Sequence, residues 1–188
     1  MFENIACATS QKMASYLDWD EIEKAEFYLG MKVLMHNVRT ILGIMLLSAW
    51  AGLFKESCIV FLAFGLLRIK AGGFHCKESW QCFCVTSLIV IGGAFVAYQL
   101  EGIENFQVIS VYGVLFGVAL LIAPQGTKNR PISFDMKKKR KWETIVLLAV
   151  YMLLTIIWKD TVGKFVMVAA ILEMVSLVPS VMTNMEIK

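Results

Sequence analysis

Apolar residues in this chain do not alternate with polar ones as surface strands require; they come in long runs broken by short charged blocks. Six runs can be set against the roughly 20 residues that carry a helix across a bilayer. They lie at about 36–54, 53–68, 82–100, 106–123, 144–158 and 162–182. The second has a clean apolar core only from Cys58 to Leu67. It and the fifth are short enough to be tilted, re-entrant or sheltered by neighbours. Ahead of these runs, Phe2, Ile5, Ala6, Thr9, Met13, Tyr16 and Leu17 fall at helical spacing among polar residues. That spacing predicts an amphipathic helix, either lying in the membrane interface or packed on the rest of the protein. Asp18, Asp20, Glu21, Glu23 and Glu26 make the following stretch acidic. The pattern therefore predicts an all-α, polytopic membrane protein of about six transmembrane helices. Residues 1–30 form an N-terminal amphipathic segment, and residues 31–188 form the six-span membrane domain.

Composition narrows the class. Of 188 residues, 58% are hydrophobic and 18% charged, and the mean hydropathy is +0.66. A soluble domain sits nearer about 45–50% apolar, so the excess belongs on a lipid-facing surface. No polar stretch is long enough to bury a core of its own, which argues for one membrane domain. The net charge of +3 is small and confined to loops, which excludes a nucleic-acid partner and suits an orientation signal. The loop 68–81 carries Arg68, Lys70 and Lys77, and the loop 124–143 carries Lys128, Arg130, Lys137, Lys138, Lys139, Arg140 and Lys141. The loop near 101–105 has only Glu101 and Glu104, while Lys55 is balanced by Glu56 and Lys159 by Asp160. Basic and non-basic loops alternate as six spans require. The positive-inside rule then puts both termini and the 68–81 loop in the cytoplasm. The first thirty residues lack an apolar stretch ending in a cleavage site, so the first hydrophobic helix is expected to act as the insertion signal.

The chemistry concentrates in one segment. Five cysteines (Cys7, Cys58, Cys76, Cys82, Cys84) are an odd set, three of them within nine residues, which fits a thiol site better than a disulfide framework. His75 precedes Cys82 by seven residues. On one continuous helix that spacing would hold them about 10.5 Å apart along the axis, well beyond the roughly 3 Å reach of a base and its nucleophile. A working pair needs His75 outside the helix that bears Cys82, and Gly72-Gly73 permits the bend. Ser79 reads as the N-cap of the third span, with Cys82 at N3, where the helix N-terminus favours an anionic sulfur. Backbone N–H groups of that turn, or the Gln81 amide, are candidates to hold an oxyanion. Glu78 is the nearest candidate to orient His75. Such a pair at a membrane surface points to a cysteine peptidase or acyl transferase.

The plain alternatives are a small buried cysteine and an interfacial histidine with no task. His75, Cys76, Cys82 and Cys84 carry metal-donor atoms, but their spacing does not match a paired CxxC site, so neither metal nor cofactor is expected. Arg68 ends the second span where it can bind an acidic segment or a phosphate headgroup. His36, Arg39 and Glu173 are ionisable groups inside spans, expected to snorkel or to face the bundle interior. Gly113 and Gly117 form a GxxxG that permits close helix contact.

The run Arg68-x-x-Ala71-Gly72-Gly73-Phe74-His75, followed by Cys82, resembles the signature of the AgrB family (accessory gene regulator protein B). The later Ala123-Pro124-x5-Arg130-Pro131-Ile132, leading into a basic run, is similar to that family's second signature. The resemblance covers nearly the whole chain. It implies a membrane cysteine endopeptidase with His75 and Cys82 as the catalytic pair, and importance of Arg68 and Gly73 for activity or architecture. It implies a short amphipathic propeptide substrate (AgrD-like), cut through an acyl-enzyme thioester and closed to a thiolactone or lactone used in quorum sensing. It further implies a homodimer in a bacterial cell membrane, with the site on the cytoplasmic side. The basic run Lys137, Lys138, Lys139, Arg140 and Lys141 would serve topology and lipid contact, or capture of an acidic propeptide tail. The rival class is a small non-catalytic transporter or scaffold subunit. It would require polar residues through the middle of several spans, where the chain offers mainly Glu173, Ser110 and Thr155.

Overall fold

The structure is a computed structural model that describes residues 8–9, 11–13, 16–17, 20–72, 79–125 and 134–185. The chain divides into two compact units, Met1–Leu47 and Ser48–Lys188. In the first, residues 8–9, 11–13 and 16–17 are helical, and the rest of the predicted N-terminal helix lies outside the described residues. Helix α1 follows as thirty residues, Glu21–Trp50. Asp20 starts it. The Glu23 backbone N–H donates to Asp20 Oδ1 at 2.7 Å, and the Asp20 N–H donates to Glu23 Oε2 at 3.1 Å. This reciprocal box satisfies donors that the first turn would otherwise leave open, and it places acidic side chains at the helix's positive end. The acidic stretch is thus a helix start. It carries α1 well upstream of residue 36, where the first apolar run begins, and unbroken through residue 30.

In the second unit, α1 stops at Gly52, whose φ is +72°. The Gly52 N–H donates to the Ala49 carbonyl at 3.1 Å and the Leu53 N–H to the Ser48 carbonyl at 2.9 Å, a left-handed helix stop that glycine adopts without strain. Helix α2 is Phe54–Ala71. Helix α3 comprises Ser79–Ser87, a π-helical turn at Leu88–Gly92 and Gly93–Gln99. Helices α4 (Asn105–Ile122) and α5 (Phe134–Ile157) follow, then a π-helical turn at Lys159–Gly163 and α6 (Lys164–Met185). No strand occurs among the described residues. Among the described residues, four stretches are long and apolar enough to cross a membrane: Glu21–Trp50, Trp80–Gln99, Asn105–Ile122 and Lys159–Val178. The two remaining helices are the short second and fifth runs. Helix α2 carries Lys55 and Glu56 at one end and Arg68 and Lys70 at the other, and α5 opens on the basic run. The protein is an all-α polytopic membrane protein.

Helix α6 is the hub. It packs against α2, α3, α4 and α5, and Phe165 through Ala170 are buried without a break, as a helix enclosed on all sides requires. Helix α2 turns Ser57, Val60, Phe64, Leu67 and Ala71 inward, and α4 turns Val108, Tyr112, Leu115 and Ala119 inward, both at helical period. The opposite face of α4 exposes Phe106, Ile109, Val114 and Leu121, which in a bilayer meets acyl chains. Several polar side chains inside the bundle are paired across helices, while among the described residues Ser57 Oγ, Ser87 Oγ and Glu173 Oε1 are buried without a hydrogen-bond partner. Tyr112 Oη lies 3.0 Å from Thr155 Oγ1, and Tyr151 Oη donates to the Ala63 carbonyl at 2.8 Å. Lys164 Nζ donates to the carbonyls of Tyr98 (3.2 Å) and Leu100 (3.1 Å), closing the negative end of α3.

Two glycines permit close packing at different cost. A Cβ at Gly163 would lie 2.7 Å from Thr155 Cα and from the Trp158 carbonyl oxygen, both backbone. At Gly93 it would meet a Leu172 methyl at 2.7 Å, the movable end of a side chain. Gly163→Ala is expected to destabilise by about 1–3 kcal/mol, while Gly93→Ala falls well below that. Thermal unfolding of both variants in detergent micelles checks the order.

Candidate functional site

The first signature segment begins inside α2, and the structure shows what holds its end. Arg68 reaches across to α6: its Nη1 lies 3.5 Å from Glu173 Oε2 and 3.3 Å from Ser176 Oγ. Ser176 Oγ donates in turn to the same Glu173 oxygen at 3.1 Å. The guanidinium stacks 5.5 Å from the centre of the Phe64 ring. Glu173 is fully buried. The two charges that the sequence pattern places apart, one at a surface and one in a span, are thus a single interhelical pair.

Helix α2 ends where Gly72 takes φ +82°, its N–H donating to the Arg68 carbonyl at 2.9 Å. Gln125 of the second signature runs alongside: its N–H donates to the Ala71 carbonyl at 2.9 Å, and Gly72 and Gln125 form a parallel bridge. A Cβ on Gly72 would collide with the Gln125 carbonyl oxygen. Gly72 is therefore required twice, by its dihedral and by the close approach of a second chain segment. This brings the two signature segments, some fifty residues apart, into direct backbone contact. Sequence reasoning carried no signal for Gln125.

Cys82 lies in the first turn of α3, half-buried, with its Sγ 4.0 Å from Thr86 Oγ1 one turn on. The helix begins at Ser79 itself, so Cys82 is fourth rather than third in it. Gln81, beside it, is also half-buried, Cys84 is exposed and Cys58 is half-buried. His75, Gly73, Glu78 and Cys76 lie outside the described residues. Among the described residues no group of His, Cys, Asp and Glu has the arrangement of a metal site.

The basic run opens α5 and does not act as one surface. Lys137, Lys138 and Lys139 are exposed and Arg140 is half-buried. Lys141 Nζ instead donates to the Leu120 carbonyl in the last turn of α4, where a cation meets the negative end of a helix. Glu143, the acid that ends the run, pairs with Lys70 of the first signature at 3.0 Å. It was not among the expected site residues, although a lone carboxylate after five cations marks it.

The hydrogen bond from Lys70 holds the Glu143 carboxyl below its ordinary value, outweighing the opposing desolvation, with the charges of Lys70, Lys139 and Arg140 adding to the lowering. A carboxylate whose folded-state value is lowered stabilises above its unfolded value, about 4.3, and that contribution fades as pH falls through the lower folded value. The melting-temperature gap between wild type and Glu143→Gln should therefore be small but present at pH 7 and close as the pH is taken below about 4. Unfolding in micelles at low salt across that range measures it.

Residues 6–177 match the family described as Accessory gene regulator B. Accessory gene regulator protein B of Staphylococcus aureus (strain bovine RF122 / ET3-1) is 28% identical over 174 residues, covering 89% of this chain and 91% of that protein. The putative AgrB-like protein of Clostridium acetobutylicum is 26% identical over 181 residues, covering 95% and 86%. No solved structure matches the chain significantly. Because the match runs through both signature segments, all of α2 to α5 and α6 as far as Leu177, the chain belongs to the accessory gene regulator B (AgrB) family.

Proposed function

We propose that this chain is a membrane-embedded cysteine endopeptidase that cuts a short amphipathic propeptide and closes the retained part into a ring. The observation that carries the reading is the family match over residues 6–177, which takes in the signature segment and Cys82. The position of Cys82 supports it: a half-buried thiol in the first turn of an apolar helix, where backbone N–H groups have no intrahelical acceptor and can serve an oxyanion. His75 takes the Cys82 proton, and the thiolate attacks a propeptide carbonyl. The tetrahedral oxyanion collapses, the C–N bond breaks, and His75 returns the proton to the leaving amine of the C-terminal tail. The product is a Cys82 thioester. An internal cysteine of the propeptide then attacks that thioester, forming the thiolactone and freeing Cys82. A serine in its place would yield a lactone. One thioester replaces another at little energetic cost, so keeping water from the acyl group decides ring against linear peptide.

The basic alternation of the loops supports a cytoplasmic site and cytoplasmic termini. At Gly113 and Gly117 of α4, nothing lies within 4 Å of where a Cβ would stand, and this open small-residue face supports association of two copies in the bilayer. Lys137, Lys138 and Lys139 are the exposed cations available to an acidic tail. The transporter alternative would have to rest on Glu173, whose Oε2 is held by Arg68 and Ser176.

Cys82→Ala should abolish propeptide cleavage and the thioester, and His75→Ala should slow cleavage by about 10²–10⁴-fold. Mass spectrometry of the intact protein after brief mixing with propeptide reads the acyl adduct; normal cleavage by either variant ends the assignment. Reversing Lys137, Lys138 and Lys139 to glutamate should raise KM with little change in kcat. Unaltered KM in a normally inserted protein would leave these cations to topology and lipid alone.

A further inference from the structure

Glu173 is the one carboxylate among the fully buried side chains of the described residues, and the cysteine-peptidase chemistry leaves it without a task. A buried acid in an apolar helix is costly unless paired. A leucine at that position would serve packing as well, since exchanging a buried ion pair for apolar residues is often neutral for stability. What the pair adds is direction. Oε2 of Glu173 receives both Arg68 and Ser176, at 3.5 and 3.1 Å, and Arg68 is further bounded by Ser176 at 3.3 Å and the Phe64 ring at 5.5 Å. The Arg68 carbonyl accepts the Gly72 N–H, and the nearby Ala71 carbonyl accepts the Gln125 N–H, each at 2.9 Å. Fixed contacts thus run from the central helix α6, through Arg68, to the turn from which the His75 segment departs. The neighbouring Lys70–Glu143 pair cannot do this: both side chains are about a third or more exposed, at 42% and 32%, and such pairs hold weakly.

We infer that Glu173 is a positioning residue of the reaction, acting through Arg68 on the Gly72 turn; the inference rests on the cysteine-peptidase reading above. Its role is to reference that turn to the best-buried helix of the bundle, so that the chain leaving α2 meets α3 in one geometry. Small misplacement of reacting groups is enough to cost about 10²-fold in rate.

The test uses the full chain in lipid nanodiscs and a propeptide that acylates wild-type Cys82. Turnover is normalised to the monodisperse folded fraction. Glu173→Gln and Arg68→Lys should each lower kcat by about 10–10²-fold with KM within about twofold. Glu173→Asp should recover part of the loss. The double variant Arg68→Met, Glu173→Leu should regain wild-type melting temperature while kcat stays low, a split that a purely stabilising pair would not produce. Wild-type kcat in Glu173→Gln, or recovery of kcat together with melting temperature in the double variant, overturns the inference. If Cys82→Ala still forms product, or no propeptide acylates the wild type, the peptidase reading falls and this inference with it. If Cys82→Ala is inactive and Glu173→Gln is fully active, this inference falls alone.

Discussion

A fully buried carboxylate has to be met by donors, and in this bundle those that meet Glu173 Oε2 are Arg68 from α2 and Ser176 from its own helix. Everything at that end of the second unit is arranged around the consequence. Helix α6 is buried without a break from Phe165 to Ala170, and Glu173 a turn further on has no exposed surface. Arg68 can reach it only if α2 lies against α6 with its last turn at that depth. Once α2 is set there, the Gly72 turn is set, and so is the Gln125 strand-like contact that depends on it. Losing Arg68 would leave Glu173 buried with Ser176 alone to meet it, a costly state for a buried acid. That penalty falls on any arrangement in which α2 slides by a turn, so the pair discriminates among packings that apolar side chains would tolerate alike.

Much of the architecture is legible in the chain's hydropathy alone. Apolar runs mark where helices lie because lipid demands them, and the runs recover six helices in order. Boundaries are less legible where polar chemistry overrides hydropathy. Helix α1 starts at Glu21 because Asp20 and Glu23 cap each other, although the stretch is too charged to register as a span. The π-helical turns at Leu88–Gly92 and Lys159–Gly163 leave no trace in a hydrophobic pattern, since one extra residue in a turn changes no side chain's polarity. At the site, His75 and Cys82 stand out because few residue pairs carry that chemistry. Gln125 does not, because its part is played by its backbone, which every residue shares. Glu143 and Ser176 are long-range partners of Lys70 and Arg68, and no spacing rule connects residues 73 or 108 positions apart.

The lysines show how one composition divides into different tasks. A basic loop reads as a topology signal, and Lys137, Lys138 and Lys139 are exposed enough to be one. Lys141 and Lys164 do something else. Each sends its ammonium to carbonyls at the end of a neighbouring helix, α4 and α3 respectively, where the last turn has acceptors without donors. In lipid those carbonyls have little water to satisfy them, so a tethered cation is worth more there than on a soluble protein. The two sit at opposite ends of the bundle, as an up-and-down helix order requires.

Helical geometry also separates the two thiols of α3. Cys82 and Thr86 are four residues apart and share a face, consistent with their 4.0 Å contact. Cys84 is two residues from Cys82, about 200° around the helix at 3.6 residues per turn, and it is exposed. Its neighbours one turn to either side, Trp80 and Leu88, are exposed large apolar residues that in a bilayer face acyl chains. A thiol among them is presented to lipid rather than to a polar substrate. On the proposed chemistry the half-buried Cys82 lies early enough in the helix to be served by first-turn N–H groups that lack an intrahelical acceptor. On that reading, position in the helix and exposure together favour Cys82 over Cys84 as the nucleophile.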